Sequence, residues 1–221
     1  MTVIFVPTDG PGDWQRLLAD PEKHWKAGYS AMAAALSWED AQGLPAEIAA
    51  MFQPDAELLL AIPEYKVALP GGSRASQCDV FALVRDAGQI CAVAVEAKVN
   101  EPFGPTITEW VNPESEGRNI RLNAICAMLG VDHAPPPGLR YQLFHRSAAA
   151  VVAARRFGAA SAAMIVQSFS PEHRWFDDFA AFCTLLGVSP SRGQADTCRL
   201  PCGMELTLGW ATGDPRFLAE R

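Results

Sequence analysis

Three side chains in the middle of the chain stand out by type and spacing: Asp79, Glu96 and Lys98. The segment Cys91-Ala92-Val93-Ala94-Val95-Glu96-Ala97-Lys98 is an apolar run of small and branched residues, the pattern of a central strand covered on both faces. Its closing charges, Glu96 and Lys98, fall on one face because side chains alternate along a strand. Upstream, Asp79 to Arg85 reads as a strand, and Asp86-Ala87-Gly88 as the hairpin turn into Ile90 to Val99. A turn centred near Ala87 sets Asp79 across from Val95 to Ala97, so Asp79, Glu96 and Lys98 are expected to converge. Two carboxylates so placed can share a hard divalent cation, Mg2+ or Mn2+, which keeps several of its waters. An ammonium beside them can orient an attacking water and stabilise charge developing on a phosphate. The set suits phosphodiester hydrolysis. It suits acyl transfer poorly, since no Ser or Cys nucleophile comes with a matched His. As a bare pattern Glu-x-Lys also describes an ion pair at a sheet end; the upstream Asp79 and the apolar strand favour the site.

The elements that must position these residues are legible from periodicity. Val3 to Val6 reads as an opening strand, and Asp13 can cap a short helix holding Trp14, Leu17 and Leu18. Trp25, Tyr29, Met32, Ala33 and Leu36 recur at helical spacing and are expected in the core, and Pro45 restarts a helix over Ala46 to Phe52. Leu58 to Ile62 and Tyr65 to Leu69 are strand-like around Pro63, followed by a Pro70-Gly71-Gly72 turn. A helix lies within Glu114 to Leu129, prolines 135 to 137 break the chain, and a second helix covers Tyr141 to Phe157. Ala162 to Gln167 returns as a buried strand. Ser170-Pro171-Glu172 opens a helix with Phe176, Phe179, Phe182, Cys183 and Leu186 on one face, and Cys198 to Trp210 forms a hairpin. The expectation is an α/β fold: helix, three-strand antiparallel meander, helix, strand, with a C-terminal helix and hairpin as elaboration over 170–221.

Asp79 followed by Glu96-Ala97-Lys98, within that order of elements, resembles the PD-(D/E)XK, or restriction-endonuclease-like, superfamily. The wider segment, with Phe103-Gly104-Pro105-Thr106, Trp110, Arg140-Tyr141-Gln142-Leu143 and His145-Arg146, is similar to an uncharacterised bacterial family placed in that superfamily. The resemblance spans Ala46 to Phe169. It implies a mixed sheet flanked by helices, metal-dependent nuclease activity, Asp79 and Glu96 as ligands of Mg2+ or Mn2+, and Lys98 as the water-orienting residue. The proline that names the motif is missing, for Cys78 precedes Asp79.

Gln142, His145, Arg146 and Ala149 fall on one face of the helix after the proline break, and from Arg140 to Arg156 there are four Arg and no acid. The resemblance implies that such a helix supplies a Gln or a basic residue near the metal, which makes Gln142 and Arg146 candidates for contacting a scissile phosphate. On this reading Arg146 has little part in folding, and removing Glu96 relieves carboxylate repulsion at no cost to the fold. His145 is equally explained by a hydrogen bond to a backbone carbonyl. Glu57 and Glu64 flank the first strand, either as a third acidic ligand or as ordinary surface carboxylates; Glu101 can support Lys98.

Composition narrows the partners. The formal net charge is -7, which excludes a histone-like polyanion binder. Residues 1 to 60 hold three basic and nine acidic side chains, or -6, whereas residues 131 to 180 hold five Arg against four acids, or +1. A neutral-to-basic face is therefore expected away from the N-terminal quarter. Nucleic acid is one possible partner; the alternative to a nuclease is a non-catalytic nucleic-acid-binding or protein-interaction protein that keeps the fold. Six scattered cysteines, no signal-peptide pattern and no uninterrupted apolar span point to a cytoplasmic protein without a membrane segment.

Overall fold

The two-residue loop Ala87-Gly88, with φ of +48° and +77°, closes a tight hairpin whose twist matches that of its strands. It joins β2 (Ser76–Asp86) to β3 (Gln89–Lys98), and β1 (Glu57–Val67) pairs antiparallel on the far side of β2. The structure, a computed structural model, describes residues 8–132 and 134–219. The strand expected at Val3 to Val6 lies outside the described residues.

Ahead of the meander come a 3-10 turn (Pro11–Leu17) and three helices, α1 (Pro21–His24), α2 (Ser30–Ala41) and α3 (Ala46–Ala49). After it come α4 (Ile107–Val111), α5 (Glu116–Leu129) and α6 (Tyr141–Phe157), then β4 (Ser161–Ser168), α7 (Phe176–Leu185), β5 (Ala195–Arg199) and β6 (Glu205–Thr212). The six-stranded sheet has the order β1-β2-β3-β4-β6-β5. β3 runs parallel to β4 and β4 to β6, while β5 and β6 are antiparallel, so the sheet is mixed and the C-terminal hairpin extends it.

Alternation on the central strands assigns the two faces. Phe81, Leu83, Ala92 and Ala94 pack with α5, α6 and α7, whereas Val80, Ala82, Val84, Cys91, Val93 and Val95 pack with Trp38 of α2 and Ile48 of α3. Helices thus cover both faces, as a parallel-centred sheet requires. The Ser147 to Ala150 stretch of α6 is fully buried, and its small side chains let the helix lie close to β3 and β4. Gly158, at φ +65°, ends that helix in a left-handed cap whose N–H donates to Ala154 O.

Three expectations are corrected. β1 is one continuous strand through Pro63; it is an edge strand, where a missing N–H is tolerated. The helix expected from Ser170 begins at Phe176, because His173 and Trp175 take left-handed backbone angles and turn the chain first. Tyr29, expected in the core, is 44% exposed, since it precedes α2 as its N-cap. The described cysteines are free thiols, and no helix among the described residues is long and apolar enough to cross a membrane.

Candidate functional site

The sheet forks where the chemistry was expected. β2 and β3 are paired from Asp86 and Gln89 back to Val80 and Val95, and there the ladder stops. Beyond it Glu96 to Lys98 pair only with β4, and Ser76 to Cys78 only with β1. Asp79 stands at the split, and its Oδ2 accepts a hydrogen bond from the Ala97 N–H at 2.7 Å, satisfying a donor that the broken ladder releases. Even-numbered residues of β3 face α6, so Glu96 and Lys98 continue the face of Ala92 and Ala94 and meet that helix.

Glu96 is buried and its carboxylate is fully engaged. Oε1 accepts from the Lys98 ammonium and from Gln142 Nε2 at 2.7 Å, and Oε2 accepts from Arg146 Nε at 2.5 Å. Burial alone would raise its pKa, but the Arg146 and Lys98 charges outweigh burial and hold it down at about 2. Arg146 Nη1 donates to Ser76 Oγ at 2.9 Å and lies 3.4 Å from His145 Nδ1. Ser76 Oγ is 2.8 Å from the same nitrogen. With two donors converging on Nδ1, the His145 proton belongs on Nε2, and burial and the Arg146 charge keep the ring neutral. The explanation of His145 by a backbone carbonyl is thus replaced by Ser76 and Arg146.

Asp79 is in the opposite condition. Burial, then the Glu96 charge, push its carboxyl up to about 7. Glu64 is raised further, to about 8, by burial and by Asp79. Its Oε2 accepts from Gln77 Nε2 at 2.5 Å. Glu64 reaches the fork because the β1–β2 register sets it opposite Asp79; Leu60 and Ile62 before it pack on the α6 side, the odd residues do so from Tyr65 onward, and Glu64 at the change has φ +54°. Each of these two carboxylates has one oxygen outside any hydrogen bond described, and both line a cavity of about 560 Å³ with Glu96, Lys98 and Arg146.

Asp79, Glu96, Lys98, Gln142 and Arg146, all anticipated, are therefore brought together. One expectation is overturned: Arg146 is 7% exposed and ion-paired, so it is part of the fold, and without Glu96 two buried cations would lose their counter-ion. Of the two doubtful acids, Glu57 is exposed and pairs with Arg85 at 2.5 Å, whereas Glu64 joins the site. Glu101 accepts from the N–H groups of Val99, Asn100 and Ser30 and lines the same cavity. Among the described residues no three His, Cys, Asp or Glu side chains form a cluster able to hold a metal ion by themselves. A hard cation here would rest on few carboxylate oxygens and keep waters, which is the habit of Mg2+.

The family model described as a domain of unknown function (DUF6946) matches residues 7–215. The chain belongs to the DUF6946 family. The match takes in the whole sheet and every residue of the fork. No curated protein and no solved structure matches the DUF6946 domain of this chain.

Proposed function

We propose that the fork is a divalent-cation site that hydrolyses nucleic acid phosphodiesters. The observation that carries this reading is geometric: Glu64 and Asp79 line an open cavity beside Glu96, each with one carboxylate oxygen outside any described hydrogen bond, and both are held protonated near neutrality by burial and by neighbouring carboxylates, which a cation would relieve. The donor set is all carboxylate oxygen and fits Mg2+ or Mn2+, which when bound supplies Lewis-acid and water-activating chemistry. Asp79 and Glu64 offer free oxygens; Glu96 becomes a ligand when one of its three donors lets go. The Lys98 ammonium, held against Glu96 and over the Phe103 ring at 5.2 Å, is placed to orient a water by donating to its oxygen. Arg146 presents its guanidinium to a phosphate entering the cavity, and Gln142 holds Glu96 from behind. The likeness to PD-(D/E)XK enzymes supports the same roles for Asp79, Glu96 and Lys98.

The test is cleavage of single- and double-stranded DNA and RNA with Mg2+ or Mn2+. Cleavage that EDTA and Asp79→Asn abolish is the expected result; equal cleavage by wild type and Asp79→Asn overturns the assignment. The second reading, a non-catalytic nucleic-acid-binding or protein-interaction protein of the same fold, draws on the saturation of Glu96 by Lys98, Gln142 and Arg146. It predicts no Mn2+ heat in a titration of the wild type.

A further inference from the structure

A second cavity of about 560 Å³ adjoins the fork, with Gln77 and Arg146 lining both. Its charge is of the other sign. Arg74, Arg121 and Arg146 line it and no Asp or Glu does. Arg121 is built in: Nε donates to Pro70 O at 2.9 Å, and Nη2 donates to Leu69 O at 3.3 Å and Gly72 O at 3.1 Å, while Nη1 takes part in none of these bonds. The approach of α5 to the 69–72 turn that permits this depends on Gly71, at φ +81°, where a Cβ would stand 2.4 Å from Gly117 O.

One wall is aromatic. The Trp110 and Tyr141 rings lie nearly parallel, with centroids 3.7 Å apart. Tyr141 is 6% exposed, and its Oη, beside Arg121, has no hydrogen-bond partner of normal geometry. Burial pushes the Tyr141 phenol up to about 12, so the hydroxyl stays a donor. A buried hydroxyl among guanidinium groups is short of an acceptor, and the group that satisfies hydroxyl and guanidinium together is an oxyanion. The volume lies in the range of small-molecule sites.

We propose that this cavity binds a phosphate monoester carried on a flat ring, the chemistry of a nucleoside monophosphate, free or at the end of a strand, and that Arg146 links its occupation to the fork. Arg121 and Tyr141 hold the phosphate oxygens, and Trp110, stacked by one face on Tyr141, borders the ligand's ring with the surface it gives to the cavity. An anion beside Arg146 competes with Glu96 for the guanidinium and frees a Glu96 oxygen; by reciprocity a cation at the fork strengthens the anion's hold. The binding site stands on its own geometry, and only the link rests on the cation reading above.

The experiment is isothermal titration of the full chain, in EDTA, with AMP, inorganic phosphate and adenosine. AMP is expected to bind more tightly than either of its parts, and Tyr141→Phe, which keeps the ring stack, to weaken AMP about tenfold without moving Tm. No AMP binding by the wild type, or equal affinity in Tyr141→Phe, overturns the site. Tighter binding of a 5′-phosphorylated oligonucleotide than of AMP assigns the cavity to strand ends, and the reverse assigns it to free nucleotide. Repeated with Mn2+, AMP affinity rises in the wild type and stays unchanged in Asp79→Asn; no rise overturns the link. AMP binding by Asp79→Asn in EDTA separates failure of the cleavage reading from failure of this one.

Discussion

The two sides of the fork hold the same functional group in contrary states. On the α6 side, Glu96 is surrounded by Lys98, Gln142 and Arg146 and stays ionised far below neutrality. On the β1 side, Glu64 and Asp79 face each other with one amide and one backbone N–H between them, and both resist ionisation. Burial is common to both sides, so burial does not decide the outcome; the supply of donors does. The α6 side is finished as part of the fold. The β1 side has spare oxygens and two carboxyls that ionise only at a cost, which is where a cationic ligand has something to gain.

The strongest way to break this contrast is Arg146→Ala. It leaves Glu96 buried with a weaker set of partners, and removing one member of a buried pair costs about 3–5 kcal/mol. Urea denaturation should show that loss, and a change below about 1 kcal/mol, as for an exposed residue, would contradict the geometry. On the other side the sign reverses. Asp79→Asn and Glu64→Gln remove a repelling charge while keeping shape, and each should stabilise the metal-free protein by about 1 kcal/mol at pH 8 to 9.

The same contrast fixes the pH profile. Glu64 and Asp79 have folded pKa values of about 8 and 7, above their ordinary 4.5 and 3.8, so the folded chain holds more protons across that window and metal-free stability falls as pH rises through it. Glu96 lies at about 2, below its ordinary 4.5, so its contribution is present above 4.5 and is lost as pH falls toward 2. Melting temperature against pH should therefore peak near 4, and Glu64→Gln should flatten the alkaline limb. The smallest effect is expected of Glu57→Gln: its pair with Arg85 is exposed on both sides, and stability should move by less than about 0.5 kcal/mol.

Much of the fork was legible in the sequence because it follows from local rules. A two-residue turn at Ala87-Gly88 fixes the register, and the register carries Asp79 to the level of Glu96. Helix spacing likewise brings Gln142 and Arg146 onto one face, and α6 has the bounds that its periodicity predicts. What could not be read was the depth to which the helix buries that face. An arginine on a stretch without acids looks solvated, and its partner, Glu96, lies fifty residues away on another element. Glu64 was left undecided beside Glu57 for a different reason: the residues alone could not say which of the two flanking acids the β1–β2 register carries opposite Asp79, and that acid is Glu64. The second cavity is harder still, being assembled from the 74–77 and 103–105 segments with Trp110 of α4, Arg121 of α5 and Tyr141 of α6, residues far apart in the chain.

Pro63 and Glu64 lie in the middle of β1, the outermost strand of the sheet on that side. A neighbouring chain that tried to add a strand there would meet a residue with no N–H to offer, followed at once by a residue whose left-handed backbone, φ +54°, departs from the strand conformation. The irregularity at this carboxylate of the fork thereby guards the margin of the sheet against edge-to-edge growth, and straightening it would expose the protein to self-association as well as disturb the site.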